Sequence, residues 1–312
     1  MKRKLVKQGG TALTVSLPAD WAREYKLKAG DEINALINED SVIFSVSEKK
    51  QKRKEATLNI DDTTYLSLAR HMYLLYRTNH DKITLTYSKQ EAFDPKKERK
   101  TNLKVVIRNI VGRLIGAEII SQSSTKTEIE CFVTEEKPDL DKIEKRIYFL
   151  TKETTNEMLQ AIGPNYHDFH ITMYDHHDNI TKFINYFLRE LYKSNRSEDE
   201  KKIAYAFYTI YDNLVDKLRH ISEKIDRFGC TTKLKGYIEE IFDFFYEGFK
   251  LLNKKQLSQE FIKTRYDIKE RINKESFTAK ELRVLAEAVV FLDTLNELTE
   301  YILLKSLESK NE

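Results

Sequence analysis

Glycine and proline are scarce in this chain of 312 residues, which contains 9 glycines and 4 prolines. Because both residues interrupt helices, their scarcity favours a largely helical protein. Hydrophobic residues make up 40% of the chain, which is enough to bury sizeable cores and excludes a disordered polypeptide. At ~100–200 residues per domain, the length predicts two or three domains.

Cysteine is also rare, and the two present, Cys131 and Cys230, lie far apart in the sequence. Without a Cys-x-x-Cys spacing they exclude a zinc site built from cysteines and are typical of free thiols in a reducing compartment. No apolar run approaches the ~20 residues of a membrane-spanning helix. The basic N-terminus has no apolar run after it, so it does not resemble a secretory signal. We therefore expect a cytoplasmic protein without membrane insertion.

The net charge is only +3, so any affinity for nucleic acid has to be local. Two basic clusters stand out near the N-terminus. The first contains Lys2, Arg3, Lys4 and Lys7 without one acid, and the second is Lys49–Lys54, with five basic residues. On charge alone, a solvated tail and a solvated linker are the simpler interpretation.

Residues 4–47 have a pattern of short strands broken by turns. Pro18 ends the second strand because proline cannot continue a ladder, and Asp20 is the expected N-cap of a helix from Trp21 to about Tyr25. So few residues form too small a core, and we expect two copies to interleave as a dimer. The predicted strands are 4–7, 12–16, 32–37 and 41–46. The apolar residues expected to need a partner are Leu17, Ile33, Leu36, Ile43 and Phe44.

Two strings mark this N-terminal region. They are Gly10-Thr11-x-x-Thr14-Val15-x-Leu17-Pro18 and, after the short helix, Leu27-Lys28-Ala29-Gly30-Asp31-Glu32-Ile33. Together they resemble the swapped-hairpin DNA-binding family of AbrB and the MazE-type antitoxins, the SpoVT-AbrB domain, although Leu-Pro replaces the family's Ile-Pro. The resemblance covers about the first sixth of the chain and implies a dimer that binds double-stranded DNA. The residues implied in DNA contact are Lys2, Arg3, Lys4, Lys7, Gln8 and Thr11.

A small α/β block is predicted over residues 55–135, as a domain connecting the N-terminal hairpins at 1–48 to the rest. Its first helix runs to about Arg77 after an N-cap at Asp61 or Asp62, and the charged stretch 89–101, which contains Pro95, is expected to be a loop. No catalytic pattern is visible in the block. The remaining predicted elements are an extended stretch at 58–60, a strand at 82–87, a helix at 103–114 and strands at 117–122 and 125–133.

Long amphipathic helices fill residues 138–307. The break at Gly229 suggests two similar three-helix bundles side by side, with repeats at about 138–228 and 231–307. Helical spacing places Asp212 and Asp216 opposite the apolar stripe of the third helix, on a solvent face. Asp293 and Glu297 share an outer flank of the sixth. The predicted helices are about 139–162, 166–193, 198–227, 231–253, 257–275 and 278–307.

The recurring acid pairs Asp212-x-x-x-Asp216 and Asp293-x-x-x-Glu297 resemble the E/D-x-x-x-D motif in the third helices of the PhoU family of phosphate-transport regulators. The second pair departs from the motif by ending in Glu and lacking a following His. Asp175 and Asp178 occupy a place comparable to acids in the second helix of that family. The resemblance implies a metal ion, namely iron, zinc or magnesium, at these six carboxylates. From the sequence alone, a solvated acidic face is the simpler interpretation.

Four histidines, His167, His170, His176 and His177, suggest a metal site because neutral imidazole is a common ligand. His176 lies in the apolar stripe of its helix, however, and the four cannot bind one ion from a single helix. No Ser/His/Asp or Cys/His nucleophile pattern is present, and Gly9-Gly10 precedes a strand and not the helix of a phosphate-binding loop. We therefore expect no enzyme.

The fold class expected is α+β, with a swapped-hairpin domain, an α/β middle block and an all-α pair of three-helix bundles. This arrangement resembles archaeal PhoU-like regulators over most of the chain. It implies a DNA-binding transcriptional regulator of phosphate uptake, whose helical repeats sense phosphate status through a metal, a ligand or a partner. The alternative is an accessory protein that contacts a phosphate transporter ATPase or its signalling partner, with the hairpins used for dimerisation only.

Overall fold

A computed structural model describes residues 2–10, 12–37, 42–46, 53–94, 98–132, 138–194, 196–253, 258–297, 299, 301 and 303. The chain divides into two compact units, Met1–Arg53 and Lys54–Glu312, here called the hairpin unit and the large unit. As expected, the fold is mixed α+β, with small sheets in the N-terminal part and a largely helical C-terminal part. None of the described helices combines the length and apolar composition needed to cross a bilayer.

The hairpin unit contains two antiparallel hairpins separated by a short helix. Val6 pairs with Thr14 in the first hairpin, and Asn34 pairs with Ser45 in the second. The strands are shorter than predicted. The elements are β1 (Val6–Gln8), β2 (Ala12–Thr14), α1 (Ala19–Glu24), β3 (Asn34–Ile37) and β4 (Val42–Ser45).

The start of α1 corrects the predicted cap. The helix begins at Ala19, so Asp20 lies in its first turn and Pro18 occupies the N-cap position. Proline suits this end of a helix because its φ, here −58°, is fixed near the helical value. Its carbonyl accepts the amide of Ala22 at 2.9 Å.

In the large unit, residues 54–132 form the α/β block, whose four-stranded sheet has the order β5-β6-β10-β9. The first pair is parallel because α2 carries the chain across between its strands, and the other pairs are antiparallel. Strand residues such as Ile83, Leu85 and Ile129 form a buried core with residues of both helices. The elements are β5 (Glu55–Asn59), α2 (Tyr65–Arg77), β6 (Lys82–Thr86), β7 (Glu91–Asp94), β8 (Arg99–Asn102), α3 (Leu103–Val111), β9 (Ala117–Gln122) and β10 (Lys126–Cys131).

Two predictions for the block were wrong. The stretch expected to be a loop contains the hairpin of β7 and β8, in which only Ala92 is buried, so its apolar pattern is too short to recognise in a charged segment. The N-cap of α2 is Thr64, whose hydroxyl accepts the amide of Ser67. Asp61 instead accepts the amides of Ser88 and Lys89, which lowers its pKa.

The helical part follows the predicted helices closely. A capping box between Ser197 and Glu200 starts α6, and Gly229 ends it with a φ of +79°, where a side chain would be strained. The helices are α4 (Leu140–Ala161), α5 (Tyr166–Lys193), α6 (Glu198–Phe228), α7 (Thr232–Asn253), α8 (Gln259–Lys274) and α9 (Ala279–Glu297). Of the residues predicted to extend the last helix to 307, the structure describes 299, 301 and 303.

The two predicted repeats share one hydrophobic core. Helix α6 of the first repeat packs along α9 of the second, and α4 also meets α7. Side chains from both repeats, such as Tyr211 and Phe291, belong to the same buried cluster. The core of the helical part is separate from the core of the α/β block.

Candidate functional sites: the basic hairpin and the carboxylate row

The first hairpin carries the residues predicted to contact DNA. Lys2, Arg3, Lys4, Lys7 and Gln8 are all exposed on β1 or just before it. Thr11 lies outside the described residues. The hydroxyl of Thr14 donates to the carbonyl of Val6 at 3.1 Å and ties the two strands together, and Gly9 turns the chain with a φ of +70°.

The described residues of the hairpin unit form no interior of their own. None of its described residues is buried. Ile43 and Phe44 are exposed, Leu17 and Ile33 are half-buried, and the side chain of Leu36 lies outside the description. The large apolar side chains left exposed include Leu5, Val6, Leu13, Val15, Ile37 and Val42. Apolar surface of this kind is a typical interaction surface.

The second candidate site lies where α5 and α6 meet the α/β block. Asp212 was expected on a solvent face, but α2 and α5 cover it, and its side chain is only 25% exposed. Its Oδ2 accepts a hydrogen bond from Nη2 of Arg77 at 3.1 Å, and its Oδ1 accepts one from Thr181 at 3.1 Å. Arg77 also donates through Nε to the buried amide oxygen of Asn185 at 2.7 Å.

One helical turn away, a second group of charges surrounds His177. Its Nδ1 lies 3.0 Å from Asp178, and its Nε2 lies 3.2 Å from Asp216. Arg113 of the α/β block reaches the other oxygen of Asp178 at 2.8 Å, and Arg219 lies 3.2 Å from Asp216. Together with Asp212, the two aspartates form what we call the carboxylate row.

The charges in this group shift one another's pKa values. Burial opposes ionisation of Asp216, but the hydrogen bond and charge of His177, with the charge of Arg219, outweigh it and hold the pKa of Asp216 well below its usual range. Burial likewise disfavours the cationic form of His177, but hydrogen bonds to Asp178 and Asp216 raise the pKa of the imidazole. Acidic and basic side chains therefore alternate in the order Arg113, Asp178, His177, Asp216 and Arg219.

In the second repeat, Asp293 has similar cationic neighbours. Asp293 accepts from Arg265 at 2.5 Å and from Lys269 at 2.9 Å through both oxygens. Burial raises the pKa of Asp293, but these cations outweigh it and the net shift is downward. Glu297 and Asp175 are exposed on α9 and α5.

The four histidines of α5 lie against different neighbours. His167 lies 2.9 Å from Asp226, His170 lies 3.0 Å from Ser222, and His176 lies 3.2 Å from Glu157 and stacks on Phe169. Each imidazole of this helix therefore bonds to a different neighbour.

Within the part of the chain that the structure describes, no group of three or more His, Cys, Asp or Glu side chains is placed to hold a metal ion. Both oxygens of Asp212, Asp178 and Asp293 accept from donors that are cationic or hydroxylic. As arranged, these carboxylates do not fit a metal ion.

Sequence reasoning missed the arginines of the α/β block. Arg77 and Asp212 are 135 positions apart, and no local pattern in α2 links them. The only signal in the sequence was Arg77 at the end of an amphipathic helix. A basic residue is common there because it interacts favourably with the helix dipole, so the position does not indicate a distant partner.

Comparison of the chain with protein-family models, with curated proteins and with solved structures finds no match in any of the three.

Proposed function

We propose that this protein is a DNA-binding transcriptional regulator of phosphate uptake that binds duplex DNA as a homodimer through its hairpin unit. Two features of the hairpin unit carry the proposal. None of its described apolar side chains is buried, and exposed cations lie on or just before its first strand, namely Lys2, Arg3, Lys4 and Lys7. Apolar surface of this kind is covered by a second copy, and the cations then lie in two symmetry-related sets.

The chemistry of the side chains determines which residues contact phosphates and which contact bases. Lysine ammonium groups neutralise phosphates and give affinity without sequence choice. Arginine binds guanine through two hydrogen bonds, and glutamine binds adenine in the same way. Arg3 and Gln8 are therefore the residues that read bases, while Lys2, Lys4 and Lys7 position the dimer.

The link to phosphate rests on the resemblance of the acid pairs in α6 and α9 to the PhoU motif. In this proposal the large unit receives the signal, and the hairpin unit transmits it as a change in DNA affinity. The second candidate is the accessory protein that binds a transporter ATPase or signalling protein. It is supported by Ile262 and Tyr266, which lie one turn apart on α8 with 42% and 57% of their surface exposed.

Titration of the full chain with duplex DNA at several salt concentrations separates the two functions. Each phosphate contact contributes a slope of about 0.9 to the logarithmic dependence of affinity on salt. Lys4→Ala should weaken binding to every sequence and reduce that slope by about one per monomer contact. Lys202→Ala, which removes an exposed lysine of α6, is the matched control and should leave the slope unchanged.

A flat salt dependence, or equal slopes for the parent and Lys4→Ala, would reject the DNA-binding proposal. The accessory function would then take its place.

A further inference from the structure

We infer that the carboxylate row is the docking face of the α/β block, and that Arg77 and Arg113 occupy the place at which the PhoU resemblance puts a metal ion. Asp212 and Asp178 then serve as counter-ions that hold two parts of one chain together. The inference concerns the large unit and holds whether or not the hairpin unit binds DNA.

The joint between the block and the helices has a different chemistry from the parts it joins. The block and the helical part each have a hydrophobic core, and the two cores are separate. Polar contacts link the block to α5 and α6: Arg77 of α2 bonds to Asn185 of α5 and Asp212 of α6, and Arg113, which follows α3, bonds to Asp178 of α5. The two parts are therefore joined by guanidinium groups and not by a shared apolar interior.

A third arginine acts at the same joint from the opposite direction. Arg189 of α5 donates through Nη1 to the carbonyls of Tyr76 at 2.9 Å and His80 at 3.0 Å, and its guanidinium lies 4.8 Å from the centre of the Tyr76 ring. The first carbonyl belongs to the last turn of α2, where oxygens lack helical partners and carry partial negative charge. Arg189 therefore caps the same helix that presents Arg77.

Burial of Arg77 makes the pair that it forms with Asp212 costly to break. Arg77 is 8% exposed, and two residues that bond to the pair, Asn185 to Arg77 and Thr181 to Asp212, are almost wholly buried. A buried charge that loses its partner is strongly destabilising, because the low-dielectric interior cannot solvate it. Transfer of Asp212 to a metal ion would therefore break its pair with Arg77 and leave the guanidinium without its carboxylate partner.

Charge repulsion also disfavours a metal ion beside Asp212 or Asp178. A dication beside Asp212 or Asp178 would lie close to a guanidinium that already neutralises the carboxylate, and the repulsion between like charges is strong in partly buried surroundings. Oxygen-preferring cations need several free carboxylate or carbonyl oxygens, whereas here both oxygens of Asp212 and of Asp178 already accept hydrogen bonds.

The first test uses the unmodified full chain. The parent and the double variant Asp212→Asn/Asp216→Asn are each dialysed separately against Mn²⁺, Fe²⁺ and Zn²⁺. Unbound ion is removed, and the metal content of each protein is measured by elemental analysis. The inference predicts equal metal content in parent and variant. A stoichiometric ion that the double substitution removes would overturn it.

The second test is a double-mutant cycle on Arg77→Met and Asp212→Ala, with urea unfolding of the large unit as the readout. Each single substitution leaves the other residue of the pair without its partner. The double variant should therefore be less destabilised than the sum of the two single variants, by about a factor of ten in the unfolding equilibrium constant. The exposed pair Lys202–Asp199, at 3.0 Å on α6, is the matched control and should show no coupling. Coupling at Arg77–Asp212 no larger than in this control would overturn the inference.

Discussion

The hairpin unit and the helical part of the chain differ in how much of their apolar side chains is exposed to solvent. In the hairpin unit, Leu13 and Ile37 are 64% and 78% exposed. In the helical part, Phe187 and Phe291 have no exposed surface. Since burial of apolar surface is the dominant favourable contribution to folding, the helical part obtains its stability within one copy. The described apolar side chains of the hairpin unit are largely uncovered within one copy, which is why we propose that the unit dimerises.

The largest expected effect concerns the buried side of this comparison. Phe291→Ala removes a ring that contacts Phe242 and Phe245 in the core shared by both repeats. It should lower the free energy of unfolding of the large unit by about 3–5 kcal/mol, as measured by urea denaturation. Phe44→Ala, in the hairpin unit, is the control and should leave that transition in place. Equal losses in the two variants would contradict the comparison.

A smaller effect is expected at the residues that we propose to read bases. Arg3→Ala should reduce the preference for a selected operator over random duplex by about 1–3 kcal/mol, because a bidentate contact to guanine is lost. Lys4→Ala should weaken both complexes equally and leave the preference intact. Competition binding with both duplexes measures the ratio. An unchanged ratio in Arg3→Ala would remove this residue from base recognition.

The smallest effect is pH-dependent and lies in the large unit. Glu281 accepts hydrogen bonds from the hydroxyl of Thr231 at 2.6 Å and the amide of Thr278 at 2.8 Å, joining the starts of α7 and α9. The bond from Thr231 is the main cause that lowers its pKa from 4.5 to about 2. A depressed carboxyl pKa stabilises the fold above pH 4.5, and the contribution is lost as the pH falls towards 2.

Thermal unfolding of parent and Glu281→Gln across this pH range tests the point. The parent should be the more stable protein at neutral pH, and the difference should vanish at the acid end. Glu297→Gln, at the exposed end of α9, is the control and should follow the parent throughout. A difference between parent and Glu281→Gln that persists unchanged into acid would show that ionisation of Glu281 is not the cause.

Much of the helical part could be predicted from the sequence because its signals are local. The capping box at Ser197 and the left-handed Gly229 fix both ends of α6 within one or two residues. The hairpin of β7 and β8 was missed because it buries little more than Ala92, and a single buried residue leaves no period to detect.

The carboxylate row shows what local patterns cannot provide. Helical spacing predicted Asp212 on a solvent face of α6, but it could not show that α2 would cover that face with Arg77. A helical wheel separates apolar from polar faces and does not distinguish a polar face in water from one against another element. The partners lie in a different part of the chain, so only the tertiary structure brings them together.

Sedimentation of the full chain tests the central claim most directly, with Ile43→Asp as the matched variant. Ile43 pairs with Leu36 across the second hairpin and is 54% exposed, so an acidic side chain there should prevent a second copy from packing on it without disturbing the large unit. The account predicts that the parent sediments as a dimer and Ile43→Asp as a monomer, with unchanged unfolding of the large unit. A monomeric parent, or a dimer that Ile43→Asp leaves intact, would contradict it.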